Sequence, residues 1–123
     1  MREAVGRAAG SARLAVVSGA ARSEVETVLD AAGIDLFEVI VSAEDVTRGK
    51  PDPEGYRRAL ELLGVEAAQA LALEDAPPGV AAAKAAGLCC VAVLGTVPRE
   101  RLGEANEVVP RLDAELVERL LAS

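Results

Sequence analysis

The sequence predicts an α/β protein built on a parallel sheet, and three observations predict it. Short apolar runs alternate along the chain with segments of helical periodicity. The runs end on residues that favour turns, and the helical segments open at Pro or polar caps and close on Gly. The 123 residues match the usual size of one compact domain, so residues 1–123 are expected to form a single unit with one core.

The elements follow in order. Met1, Val5, Ala8, Ala9 and Ala12 recur at helical spacing, and Leu14 to Val17 then form a compact apolar run ending at Ser18-Gly19, as a buried parallel strand would. Ser23 with Glu26 makes a capping box for a helix whose inner face is Val25, Val28, Leu29 and Ala32 and whose stop is Gly33. Phe37 to Val41 read as a second strand, and SAEDVTRGKPDP as an irregular connection. Pro53 suits the first turn of a helix lined by Tyr56, Ala59, Leu60 and Leu63 and closed by Gly64. Leu71 to Leu73 are a third strand. Pro77 and Pro78 fit only an opening turn, so the next helix runs to Ala86 with Gly87 behind it. Cys89 to Leu94 make a fourth strand. An amphipathic turn at Arg99 to Leu102, a brief strand at Val108-Val109 and a last helix with Leu116, Val117, Leu120 and Leu121 inward complete the chain.

Composition narrows the function. A net charge of −7 argues against nucleic acid and against anionic membranes, since both require a basic patch. Phe37 and Tyr56 are the only aromatic residues, too few for a base-stacking surface. The longest apolar stretch, Leu88 to Leu94, is too short to span a bilayer, and the first ten residues have no signal-type apolar run, so a cytoplasmic protein is expected. Cys89 and Cys90 are adjacent, which offers neither a disulfide framework nor a CxxC site; both are expected to be buried thiols.

In open parallel α/β sheets ligands bind at the carboxyl ends of the strands, which singles out three places. At Ser18-Gly19 a hydroxyl and an approachable backbone N–H can hold an anionic oxygen, although both also serve a plain turn. Lys50, framed by Gly49 and Pro51, has a restricted backbone and can set an ammonium beside a phosphate, unless it is an ordinary solvated lysine. Glu74-Asp75 follow an apolar strand with the oxygen ligands that Mg²⁺ prefers, or Asp75 caps the next helix and Glu74 faces water. Together, a hydroxyl, a lysine and a carboxylate pair on three strand ends suit phosphoryl chemistry.

LAVVSGA, GKPDPEGY and LALEDAPPGVAAAKAAG, in this order and at these separations, resemble the second, third and fourth motifs of the haloacid dehalogenase superfamily, in its phosphoglycolate phosphatase and β-phosphoglucomutase branch. The resemblance covers essentially the whole chain. It implies a three-layer α/β/α Rossmann-like core acting as a Mg²⁺-dependent phosphohydrolase on a small phosphorylated metabolite. Ser18 and the Gly19 amide would grip phosphate, Lys50 would stabilise the nucleophile and phosphate charge, and Asp75 assisted by Glu74 would hold the metal.

The family's first motif, DxDG[TV], supplies the attacking carboxylate, and it has no counterpart here. The aspartates are Asp30, Asp35, Asp45, Asp52, Asp75 and Asp113, and no two are separated by one residue and followed by Gly. The expectation is a core without its central first strand and without a cap, inactive as this chain alone, with Mg²⁺ held weakly or not at all. The alternative is a phosphate-binding or interaction domain that kept the fold and lost the chemistry. Losing that strand forfeits several ladder hydrogen bonds on each side, on the order of 5–10 kcal/mol at roughly 1 kcal/mol apiece with the buried side chains added. The chain should therefore either pair the flanking strands directly or fill the gap with a segment of a second copy or a complementing amino-terminal segment. Receiver domains order their acids, Ser and Lys differently, and SGAARS lacks the G-x-G-x-x-G of dinucleotide sites.

Overall fold

The computed structural model describes residues 4–6, 10 and 12–121. Residues 4–6 are helical, with Ala4 buried, whereas Met1, Ala8 and Ala9 of the same periodic segment lie outside the described residues.

Five strands follow: β1 (Ala15–Val17), β2 (Val39–Val41), β3 (Leu71–Glu74), β4 (Cys89–Val93) and β5 (Glu107–Val109). Four helices connect or follow them: α1 (Arg22–Ala32), α2 (Glu54–Leu63), α3 (Pro77–Ala85) and α4 (Ala114–Leu121). Every pairing is parallel, as apolar runs joined by helices require. The layers are read most clearly at β4. Cys90 and Ala92 face a cluster with Tyr56 of α2 and Val80, Ala82 and Ala83 of α3, while Val91 faces Val109 and Leu116 of α4. Helices thus cover both faces of β4, the arrangement of a three-layer α/β/α core.

The strands form two sheets, β1-β2 and β3-β4-β5. Direct pairing of the second-motif and fourth-motif strands, one of the two expected ways to close the gap, does not occur. The two outer edges are instead tied by a side chain: the Lys50 ammonium donates to the Val17 carbonyl at the end of β1, 2.9 Å, and to Glu74 Oε2 at the end of β3, 2.8 Å. Arg13 braces the far end, donating to Glu38 and to the Leu63 carbonyl.

Four local expectations are corrected. The capping box at Ser23 and Glu26 is not formed, because α1 opens two residues earlier: Ala21 and not Ser23 is the N-cap, and the Glu44 carboxylate receives the Arg22 amide at 3.2 and 3.1 Å. A carboxylate delivered by the loop after β2 replaces the local cap. Val28 is 62 % exposed, and of the expected inner face of α1 Val25 is buried while Leu29 and Ala32 are only partly so. β2 begins at Val39 and not Phe37, because only three residues find partners on the short β1. Cys90 is buried, but Cys89 is exposed. Cys89 pairs in register with Leu71, on the face that α4 covers only farther along the sheet, and Leu71 and Leu73 of that face are 40 % and 38 % exposed. Burial pushes the Cys90 thiol up to about 11, so it stays protonated and packs as a small apolar group.

Glycine closes α1 and α2 where the periodicity places the stops: Gly33 and Gly64 both take φ 69°, a left-handed conformation that costs a side chain steric strain, and return their amides to the last helical carbonyls.

Candidate active site

The site is assembled at the carboxyl ends of β1, β2 and β3. A cavity of about 130 Å³ is lined by Ser18 and Gly19 after β1, Ser42 after β2, and Thr47, Gly49 and Lys50 from the connection to α2. Three of the five predicted residues therefore share one space. Ser18 Oγ accepts from the Ala20 amide at 3.1 Å, so the turn role is real; its own proton has no acceptor among the described residues and remains for a ligand. The Gly19 amide is likewise uncommitted among the described residues, and a Cβ there would meet nothing within 4 Å.

The wall behind Ser18 is a polar network. Ser42 is completely buried, and its amide and hydroxyl both donate to Asp45 Oδ2 at 2.8 Å, which also accepts from Arg22 at 2.8 Å. These donors, the Ser42 amide first, hold the Asp45 carboxyl down at about 2. A folded value below the unfolded value of about 3.9 means that the network's contribution is complete above pH 4 and is lost as pH falls through 2. Asp45→Asn should flatten the acid-unfolding curve in that window, followed by circular dichroism; an unchanged slope would contradict the network.

Glu74 and Asp75, neighbours in sequence, have different surroundings. Glu74 turns inward: its side chain is 8 % exposed, Oε2 accepts from Lys50 and from the Tyr56 hydroxyl, and Oε1 lies against Gly79. Asp75 is exposed and accepts a hydrogen bond from Thr96 at 2.8 Å. Neither lines the cavity, but Lys50 joins the two regions, since the residue lines the cavity and its ammonium rests on Glu74. The Lys50–Pro51 peptide is cis.

The final Gly of the ED-x-x-x-G string has a steric reason. A Cβ on Gly79 would stand 1.8 Å from Glu74 Oε1, so only glycine lets the carboxylate lie against the first turn of α3. Gly55 similarly gives way to Val17, 2.9 Å from its absent Cβ, and brings α2 against β1.

Tyr56 and Thr96 were not singled out by sequence reasoning. Tyr56 has the spacing of an inward helical residue, and indeed packs in the core; its position six residues after Lys50, on the opening turn, is the signal that its hydroxyl can reach the same place. Burial, with the charge of Glu74, holds its phenol above the usual range, so it remains a donor. Thr96 follows the β4 strand end, a position of the kind inspected at β1 and β3.

The donors fit Mg²⁺ in a restricted way. No group of three or more His, Cys, Asp or Glu among the described residues is placed to surround an ion. Mg²⁺ commonly keeps several waters and takes one or two carboxylates together with phosphate oxygens, a set in which the exposed Asp75 can serve.

The parallel α/β core sets a hydroxyl, a free amide and a carboxylate-backed lysine around one cavity, a donor set whose chemistry suits a small anion. The family model for haloacid dehalogenase-like hydrolases matches residues 1–87, and the chain belongs to that family. It is 45 % identical over 100 residues to validoxylamine A 7'-phosphate phosphatase of Streptomyces hygroscopicus subsp. limoneus, a match that covers 80 % of this chain and 47 % of the relative. The fold superposes on CbbY from Rhodobacter sphaeroides, solved in complex with phosphate, with a TM-score of 0.84 and 34 % identity over 92 % of this chain and 52 % of that one. β-Phosphoglucomutase from Clostridium difficile gives a TM-score of 0.79 at 25 % identity, covering 96 % and 52 %. The chain spans about half the length of these relatives. No helix among the described residues is long and apolar enough to cross a membrane.

Proposed function

We propose that residues 1–123 form one folding unit that carries the phosphate-gripping part of a phosphate-monoester hydrolase, for a small phosphorylated metabolite. The observation that carries this reading is Lys50, which lines the same cavity as Ser18 and Gly19 and whose ammonium is held by Glu74 and the Val17 carbonyl. The Ser18 hydroxyl and Gly19 amide donate to phosphate oxygens, and Lys50 neutralises charge that develops on them. Asp75 is the residue for Mg²⁺, with Glu74 assisting through its hold on Lys50. When bound, the ion supplies charge neutralisation at the transferring group. The phosphatase name of one relative and the bound phosphate of another support this substrate class.

Among the described residues no Asp or Glu lines the cavity, so the attacking carboxylate has to be brought to it. We place its source on an extended segment laid between the outer edges of β1 and β3, from a second copy or a complementing amino-terminal segment. The second reading, a phosphate-binding domain without turnover, is favoured by the same cavity lining.

Two measurements test this. Inorganic phosphate at a hundred times its dissociation constant should stabilise the chain by roughly 2.7 kcal/mol, and a zero shift at saturating phosphate and Mg²⁺ defeats the reading. Isolated chain should show no Mg²⁺-dependent turnover of an aryl phosphate; hydrolysis abolished by Asp75→Ala would reveal an attacking group already in place. Sedimentation distinguishes the second-copy arrangement, which a strictly monomeric, cooperatively folding species excludes.

A further inference from the structure

We propose that Tyr56 is a positioning residue, whose hydroxyl fixes Glu74 so that Glu74 aims the Lys50 ammonium at the cavity. The inference deepens the phosphate reading and rests on it for its second readout alone.

Lys50 carries three N–H donors. One goes to the Val17 carbonyl and one to Glu74 Oε2, and the residue lines the cavity, which leaves the third for a ligand. How firmly that third donor is aimed depends on Glu74. A glutamate at the end of a strand has a flexible side chain, and a carboxylate held by one ammonium can swing with it. Here the same Oε2 also accepts from the Tyr56 hydroxyl, and Oε1 rests against the bare Cα of Gly79. Tyr56 is itself immobilised, 8 % exposed among Ala72, Val80 and Cys90, and its ring lies beneath the ammonium, 5.5 Å from centroid to Nζ. The phenol therefore transmits the rigidity of the α2–α3 core to a lysine that must hold still. It also takes up part of the carboxylate's hydrogen-bonding capacity, so Glu74 does not draw Lys50 wholly away from an incoming anion.

Tyr56→Phe removes the hydroxyl and keeps the ring, and the experiment reads Lys50 directly. In ¹⁵N-labelled wild-type chain, the Lys50 ammonium should give a resolved, slowly exchanging Nζ signal, and it should broaden beyond detection in Tyr56→Phe and in Glu74→Gln. The dissociation constant for inorganic phosphate should rise five- to tenfold in Tyr56→Phe. A sharp, unshifted Lys50 signal in Tyr56→Phe overturns the proposal, whatever phosphate does. Loss of the signal in a protein whose wild type shows no phosphate binding supports the positioning role and defeats the phosphate reading. Tyr56 is the chain's one tyrosine and there is no tryptophan, so ultraviolet emission gives a second measurement that does not need Tyr56→Phe to fold. A carboxylate that accepts from the phenol quenches it; Glu74→Gln should brighten the emission, and equal emission from the two proteins counts against the contact.

Discussion

Gly79→Ala should destabilise the chain by on the order of 3 kcal/mol, combining overpacking at about 1–3 kcal/mol with weakened charge-assisted hydrogen bonds. The sign is the informative part. Alanine in place of glycine within a helix ordinarily gains about 0.5–1 kcal/mol, and Gly79 lies in the first turn of α3. Here the new Cβ would fall 1.8 Å from Glu74 Oε1, and the carboxylate must leave both Lys50 and Tyr56 or α3 must shift. Urea unfolding measures the cost, and the double variant Gly79→Ala/Glu74→Ala isolates its cause: with the carboxylate gone, alanine at 79 should regain most of the loss. A neutral or stabilising Gly79→Ala would mean that Glu74 does not lie where the structure puts it.

Lys50→Met should be comparably severe. It removes the cation from a carboxylate whose side chain is 8 % exposed and leaves the Val17 carbonyl without its donor. Stranding one partner of a buried pair costs about 3–5 kcal/mol; the lysine is 23 % exposed, which points to the lower end. Phosphate-dependent stabilisation should vanish as well. Lys50→Met/Glu74→Gln should recover much of the stability and none of the phosphate response, because removing both charges leaves no buried charge unpaired, only the Val17 carbonyl without its donor. Recovery of both, or of neither, would contradict the double use of Lys50 as a tie between the sheets and as an anion donor.

These expectations concern residues whose chemistry was visible along the chain but whose partners were not. Ser18, Gly19 and Lys50 were legible because each follows a strand end or carries a restricted backbone, and chain order alone brings strand ends to one edge of a parallel sheet. Tyr56 was hidden by its own spacing: an aromatic residue on an inward helical stripe is ordinarily core, and this one is core and polar contact together. Asp45 was equally unreadable as the acceptor that holds the cavity-lining Ser42, since that role depends on a serine that is completely buried.

Periodicity and punctuation in the amino-acid order were enough to establish five parallel strands, the glycine stops of α1 and α2 and the proline start of α3, because these depend on backbone preferences within a few residues. The division of labour between Glu74 and Asp75 came from packing. Strand alternation sets Glu74 on the side of buried Ala72 and Asp75 on the other, but only assembly shows that Ala72's side is the one with α2, Tyr56 and Lys50. The same holds for the separated sheets and half-exposed Leu71 and Leu73: an apolar strand is written locally, whereas the neighbour that covers it lies far away in the chain.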